Sequence, residues 1–250
     1  MPKARLAALA ALAALVLTAA CSVPKPGAGD SADASLPPTT KPAVAAPAKC
    51  AGWVSLTFDD GPTALSKRLL AVLQDREVPA VFFNTGEHTE AMPEVIELEK
   101  ALPGVQFGNH TWNHPDLGTL SIEQVREQIA RTKALQGKEV TFFRPPFGNA
   151  PAPVLKELDA SGLFEVLWTK DSKDFDAVAV EQIVDQSKGM KDGGILLLHD
   201  GHPLTIRAVP LIIDHYHSQG FCFGKVARSK TAQAPVESPA LSFYAKAVAP

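Results

Sequence analysis

Between Gly52 and Phe223 the chain alternates short apolar runs with amphipathic stretches at a repeat of about 25 residues, and this restricts the fold more than any other feature. Strands that alternate with helices build a parallel sheet with right-handed crossovers. The runs predict strands over 54–58, 80–83, 105–107, 140–143, 164–168, 195–198 and 221–223. Helices are expected over 65–75, 93–101, 122–135, 152–161, 178–189 and 205–218. Pro93 opens one helix where no amide donor is needed, and Ser121 with Gln124 forms a capping box before another. About seven parallel strands fit an α/β fold of the distorted, incomplete (β/α) barrel kind, with an open doubly wound sheet as the alternative.

The ends of the chain read differently. Lys3 and Arg5, the apolar run 6–17 and the small residues before Cys21 form an export signal over 1–20, and no later run is long enough to span a bilayer. Ala19-Ala20-Cys21 resembles a bacterial lipoprotein processing site, although Thr18 stands where such sites usually carry Leu. Two outcomes stay open: lipidation of Cys21, which places the protein on the outer face of the membrane, and ordinary secretion. Residues 21–49, rich in Pro, Ala, Ser and Thr, read as a linker, 50–226 as the folded domain and 227–250 as a C-terminal tail. Removing residues 1–20 takes away Lys3 and Arg5 and no acid, so 22 basic side chains face 27 acidic ones and the charge falls from −3 to −5. A mildly acidic surface without basic clusters excludes nucleic acid and suits a neutral polymer. In an oxidising compartment Cys50 and Cys222 are expected to pair, because first and last strands of a nearly closed barrel are neighbours.

Five apolar runs end in residues able to do chemistry: Asp59-Asp60, His110, Arg144, Lys170-Asp171 and His199. In strand–helix folds, active sites collect at such C-terminal strand ends. Adjacent aspartates repel, which a nearby cation or shared proton relieves, so one carboxylate is expected on a metal and the other free as a base. His110 and His114, four residues apart, face one way if that segment is a helical turn. With one strand-end carboxylate they make a two-histidine, one-carboxylate set that leaves coordination positions open.

These two motifs, together with Arg144-Pro-Pro-Phe-Gly148, Asp171-Ser-Lys-Asp174-Phe175 and Ile195-Leu-Leu-Leu-His199-Asp200, resemble in order and spacing the polysaccharide deacetylase family over about residues 50–225. That family includes chitin-oligosaccharide and peptidoglycan N-deacetylases and acetylxylan esterases. The resemblance implies that Asp60, His110 and His114 hold one divalent ion, zinc first and cobalt or nickel as substitutes. It implies that Asp59 is the general base, oriented by Arg144, and that His199 is the general acid, kept protonated by Asp174. The backbone N–H of Phe147 would help to hold the oxyanion and Leu197 would line the acetyl pocket, while Phe175 and Phe147 form its aromatic walls. Phe175 stands where the family usually has Trp, and Phe147 where it often has Tyr, so both walls lack a hydrogen-bonding tip.

The expected protein is therefore an exported, monomeric, metal-dependent deacetylase acting on N-acetyl groups of peptidoglycan or chitin-type oligomers. O-deacetylation of xylan is the rival within the class, and a non-catalytic carbohydrate-binding envelope protein the rival outside it. Any membrane contact would run through a lipid at Cys21 alone. His88, His202, His215 and His217 are expected to face solvent, with His202 at the rim of the cleft, and Trp112 and Trp168 are expected in the core.

Overall fold

A computed structural model describes residues 43–229 and 244–249; Cys21, the export signal and most of the linker lie outside them. The strands are β1 (Gly52–Asp59), β2 (Ala80–Asn84), β3 (Gln106–Asn109), β4 (Phe142–Phe143), β5 (Phe164–Glu165), β6 (Lys170–Asp171), β7 (Gly194–His199), β8 (Phe221–Phe223), β9 (Lys225–Ser229) and β10 (Tyr244–Val248). The helices are α1 (Ser66–Asp75), α2 (Gly86–Ala91), α3 (Pro93–Ala101), α4 (Ile122–Gln136), α5 (Ala152–Ala160), α6 (Val180–Ser187) and α7 (Pro203–Ser218). All pairings among β1–β8 are parallel, in the order β5-β4-β3-β2-β1-β7-β6 with β8 also on β1, which is the distorted, incomplete barrel the repeat predicts.

The two ends of that path belong to one stretch of chain. The run expected as a single strand over 164–168 pairs with β4 at Phe164–Glu165, crosses the gap, and pairs with β7 at Lys170–Asp171. This crossing segment bridges the barrel's seam where a regular strand pair would close it.

Period-two alternation sorts the strands. In β1, Val54, Leu56 and Phe58 are fully buried on one face, while Thr57 and Asp59 point the other way, into the barrel. The interior is filled by Val81, Phe83, Phe164, Val166 and Ile195, with Val226 from β9 beneath them. Gly108 makes this packing possible, since a Cβ there would lie 2.2 Å from the Phe83 ring. Helices cover the outside with one apolar stripe each: Leu69, Leu70 and Leu73 on α1, and Val125 and Ile129 on α4 behind the observed Ser121–Gln124 capping box.

Three regions differ from expectation. The helix α2 was not expected. Where 227–250 was expected to be a tail, its described parts join the fold: β9 and β10 pair antiparallel, Val226 exchanges two hydrogen bonds with the Gln106 amide, and the Ala247 N–H donates to the Gly193 carbonyl. The end of the linker lies along α7, where the Val44 N–H donates to Asp214 at 2.8 Å and His217 Nδ1 bonds the Val44 carbonyl at 3.0 Å. Cys50 and Cys222 are joined, with Cα atoms 5.4 Å apart, tying the entry of β1 to β8. Among the described residues no helix is long and apolar enough to cross a membrane.

Candidate active site

Register brings the chemistry together. Asp59 ends β1 directly beside His199, which ends β7. Asp60 follows in a left-handed conformation (φ 68°), which turns its side chain away from the strand direction. The turn after it is held from several sides. The Asp200 N–H donates to the Asp59 carbonyl at 2.9 Å, and the Asp200 carboxylate accepts from Ser66 and Thr63. The Thr85 N–H donates to the Gly61 carbonyl, and His88 Nδ1 to the Asp60 carbonyl at 2.8 Å.

His110 and His114 do not share a helical turn. They sit in a loop in which Thr111 (φ 67°) and His114 (φ 58°) are both left-handed, and this reversal, not helical spacing, brings the rings to 4.9 Å. Asp60 Oδ1 lies 3.4 Å from His110 Nε2 and 3.5 Å from His114 Nε2. One donor atom from each of the three residues lies within 4.8 Å of the other two, a set able to hold a metal ion.

The protonation pattern fits a cation there. His110 Nδ1 donates to the Arg144 carbonyl at 2.6 Å, which leaves the Nε2 lone pair facing Asp60. Burial and the neighbouring His110 push His114 below its ordinary pKa, favouring neutral imidazole. Burial alone would raise the Asp60 carboxyl, but the imidazoles around it outweigh that and hold it well below the usual carboxylate range. Asp60 Oδ1 is buried and accepts no hydrogen bond. A buried carboxylate oxygen that draws positive charge from the imidazoles beside it is a place where a divalent ion, with both rings neutral, can supply that charge instead.

Arg144 is wholly buried, and its Nη1 donates at 2.7 Å both to Asp59 Oδ1 and to Thr57 Oγ1. Its Nε donates to the Val166 carbonyl at 2.9 Å, and its guanidinium lies 4.1 Å over the Phe83 ring. Thr57 was not foreseen as part of the site. The available signal was its place two residues before Asp59, hence on the same strand face.

On the opposite wall, His199 Nδ1 is 2.7 Å from Asp174 Oδ1, and Asp174 Oδ2 accepts from the His199 N–H and the Thr205 hydroxyl. Burial disfavours a charged His199, yet the bond to Asp174 and the nearby carboxylates prevail and raise it to about 9. Leu197 is buried two residues earlier on the same strand face. The rings of Phe147 and Phe175, 67% and 47% exposed, stand edge-on to His114 and His199 at 4.7 and 5.6 Å. Asp59, Asp60, His110, His114, Leu197, His199 and the two phenylalanines line one cleft of about 420 Å³, joined by Trp168, Lys173 and His202, while Thr57, Arg144, Asp174 and Thr205 stand behind it. Trp168 packs against the interior cluster as expected and also lines the cleft, while His217, expected to face solvent, is buried against Phe223.

Residues 47–166 match the sequence family described as polysaccharide deacetylase. A chitooligosaccharide deacetylase of Sinorhizobium fredii is 32% identical over 188 residues, covering 67% of this chain and 87% of that protein. This chain belongs to the polysaccharide deacetylase family. Other polysaccharide deacetylases and their kin extend the likeness. The bifunctional xylanase/xylan deacetylase of Cellvibrio japonicus is 29% identical over 71% of this chain, which spans only 27% of that longer protein. The solved family 4 carbohydrate esterase from Streptomyces lividans, in complex with acetate, superposes with a TM-score of 0.69 at 30% identity, covering 80% of this chain and 99% of the esterase.

Proposed function

We propose that this chain is a metal-dependent hydrolase that removes acetyl groups from a polysaccharide, with N-acetyl groups of peptidoglycan or chitin-type oligomers as the favoured substrate. The carrying observation is one cleft in which Asp59 and His199 are register neighbours and Asp60, His110 and His114 converge beside them. A divalent ion held by those three residues, zinc in our reading with cobalt or nickel as substitutes, supplies a Lewis acid for the acetyl carbonyl and activates a water toward attack.

The protein's own groups do the rest. Asp59, aimed by Arg144, takes a proton from the attacking water. The Phe147 N–H stabilises the oxygen that gains charge, and Leu197 receives the acetyl methyl. His199 then passes its proton to the leaving nitrogen as the C–N bond breaks, with Asp174 balancing the imidazolium. Attack by water is direct, without a covalent intermediate. An amine leaves only when protonated, whereas an ester's alkoxide needs the proton less, so a firmly protonated His199 favours the amide reading. Ester cleavage is open to the same groups, and acetylated xylan is the alternative.

The decisive assay is acetate release by the full chain on chitooligosaccharides, peptidoglycan and acetylated xylan, before and after exhaustive chelation. Full rate without metal would overturn the metal role, and preference for xylan would overturn the N-acetyl assignment. Zinc uptake with no acetate from any polymer would favour a carbohydrate-binding protein. We further propose export, with Cys21 either lipidated or absent from a secreted form; the signal-like residues 1–20 and the Cys50–Cys222 bond support it. Mass spectrometry of the mature N-terminus separates the two.

A further inference from the structure

His110 and His114 are held by different means. The His110 ring is fixed directly, by the bond from Nδ1 to the Arg144 carbonyl. His114 depends on the path of its own backbone, through a loop with two left-handed non-glycine residues, a conformation that costs about 1 kcal/mol or more per residue unless its surroundings enforce it.

The enforcement comes from both sides. From α2, the N–H groups of Gly86 and Glu87 donate to the Thr111 and Trp112 carbonyls, each at 2.9 Å. Within the loop, the Thr111 N–H donates to Asn109 Oδ1 at 2.9 Å and the His114 N–H to the Thr111 hydroxyl at 3.1 Å, and from α4 one side chain meets the two peptides between them. Gln128 Oε1 accepts from the N–H of Trp112 at 2.8 Å and of Asn113 at 3.2 Å, and Gln128 Nε2 donates to Asn113 Oδ1 at 2.8 Å. Arg131, one helical turn on and on the same side of α4, lies 3.7 Å over the Trp112 ring. Trp112 is wedged so closely that a Cβ at Gly86 would come within 2.4 Å of its ring.

We propose that Gln128 is a positioning residue: it fixes the Trp112–Asn113 peptides so that the His114 ring meets Asp60 and His110 in the arrangement a metal ion requires. This rests on the metal-site assignment above and extends it to a residue 14 positions beyond the histidine motif, on another element. Gln128 does not line the cleft. Its effect is to keep three donors converged before the ion arrives, which lowers the cost of ordering them on binding.

The test is zinc affinity of the full chain, measured by competition with a chromophoric chelator, alongside the melting temperature of the metal-free protein. Gln128→Leu keeps the side-chain volume and removes both acceptor and donor; it should weaken zinc by about 10- to 100-fold, the scale of residues that orient ligands. Gln128→Glu restores an acceptor for both N–H groups and should stay within severalfold of the unaltered chain, since a carboxylate accepts such bonds well. Asn113→Ala, which removes the group orienting the Gln128 amide, should fall between them. A purely structural role would lower the melting temperature of the metal-free Gln128→Leu protein and leave zinc affinity untouched, and that result would overturn the proposal. Equal loss in Gln128→Glu and Gln128→Leu would overturn it too. Absence of zinc uptake by the unaltered chain would instead sink the metal-site assignment, and this inference with it.

Discussion

Replacing Asp174 with Asn tests the acid side of the mechanism by its pH signature. Asp174 accepts three hydrogen bonds, from His199 Nδ1–H, the His199 N–H and the Thr205 hydroxyl. Burial works against a charged His199, and the Asp174 carboxylate is the main force that raises it to about 9. Without that charge burial is opposed only by the Asp59 and Asp60 carboxylates, and the ring should fall from about 9 back toward its ordinary 6.5. A full return, from about 9 to 6.5, corresponds to roughly 3 kcal/mol of lost preference for the imidazolium. The sign follows directly: a raised histidine is protonated below its folded pKa and loses its proton as pH climbs through it. At pH 7.5 the acid form would fall from nearly complete to about one-tenth, a loss of about tenfold in kcat/KM, shrinking to less than about twofold at pH 6. Asn also leaves at least one of the three donors unpaired, which should lower unfolding free energy by about 1–3 kcal/mol. NMR titration of the His199 ring in metal-free protein and pH profiles of acetate release measure both effects. An unmoved alkaline limb in Asp174→Asn would refute the assignment of His199 as the acid tuned by Asp174.

Arg144→Met should abolish turnover and cost about 3–5 kcal/mol, because it strands the buried Asp59 carboxylate; chemical denaturation and acetate release check it. Replacing both Cys50 and Cys222 with Ser opens a link across 172 residues and should cost up to about 5 kcal/mol in unfolding free energy while kcat stays near its original value. Val226→Ala, beneath the barrel, should lower stability by about 2 kcal/mol with unchanged kcat, as thermal unfolding would show.

The placement of the chemistry was legible because strand ends are marked by where apolar runs stop, and β1, β3 and β7 do end at Asp59, Asn109 and His199. Pairing of Cys50 with Cys222 followed from the closeness of first and last strands, which the β1–β8 register shows. What escaped was set by tertiary context. A four-residue histidine spacing reads as helical, but contacts from α2 and α4 impose a reversal that local preference would not choose. The β9–β10 pair was hidden because its composition, rich in Ala and Lys, carries no strand pattern; its partners, Gln106 and Gly193, lie far away in sequence. The break between β5 and β6 was invisible because Val166-Leu167-Trp168 continues the apolar run across it.

That break ties two properties of the protein to one side chain. Where the crossing segment leaves β4 and has not yet reached β7, its Val166 and Leu167 carbonyls face the Arg144 guanidinium, whose other end grips Asp59. Closure of the wall and alignment of the base are thus mechanically coupled. A lineage that widened this groove to admit a bulkier polymer would drag its own base out of line, so changes in substrate range should accumulate in the exposed turns bearing Phe147 and Phe175, leaving the crossing untouched.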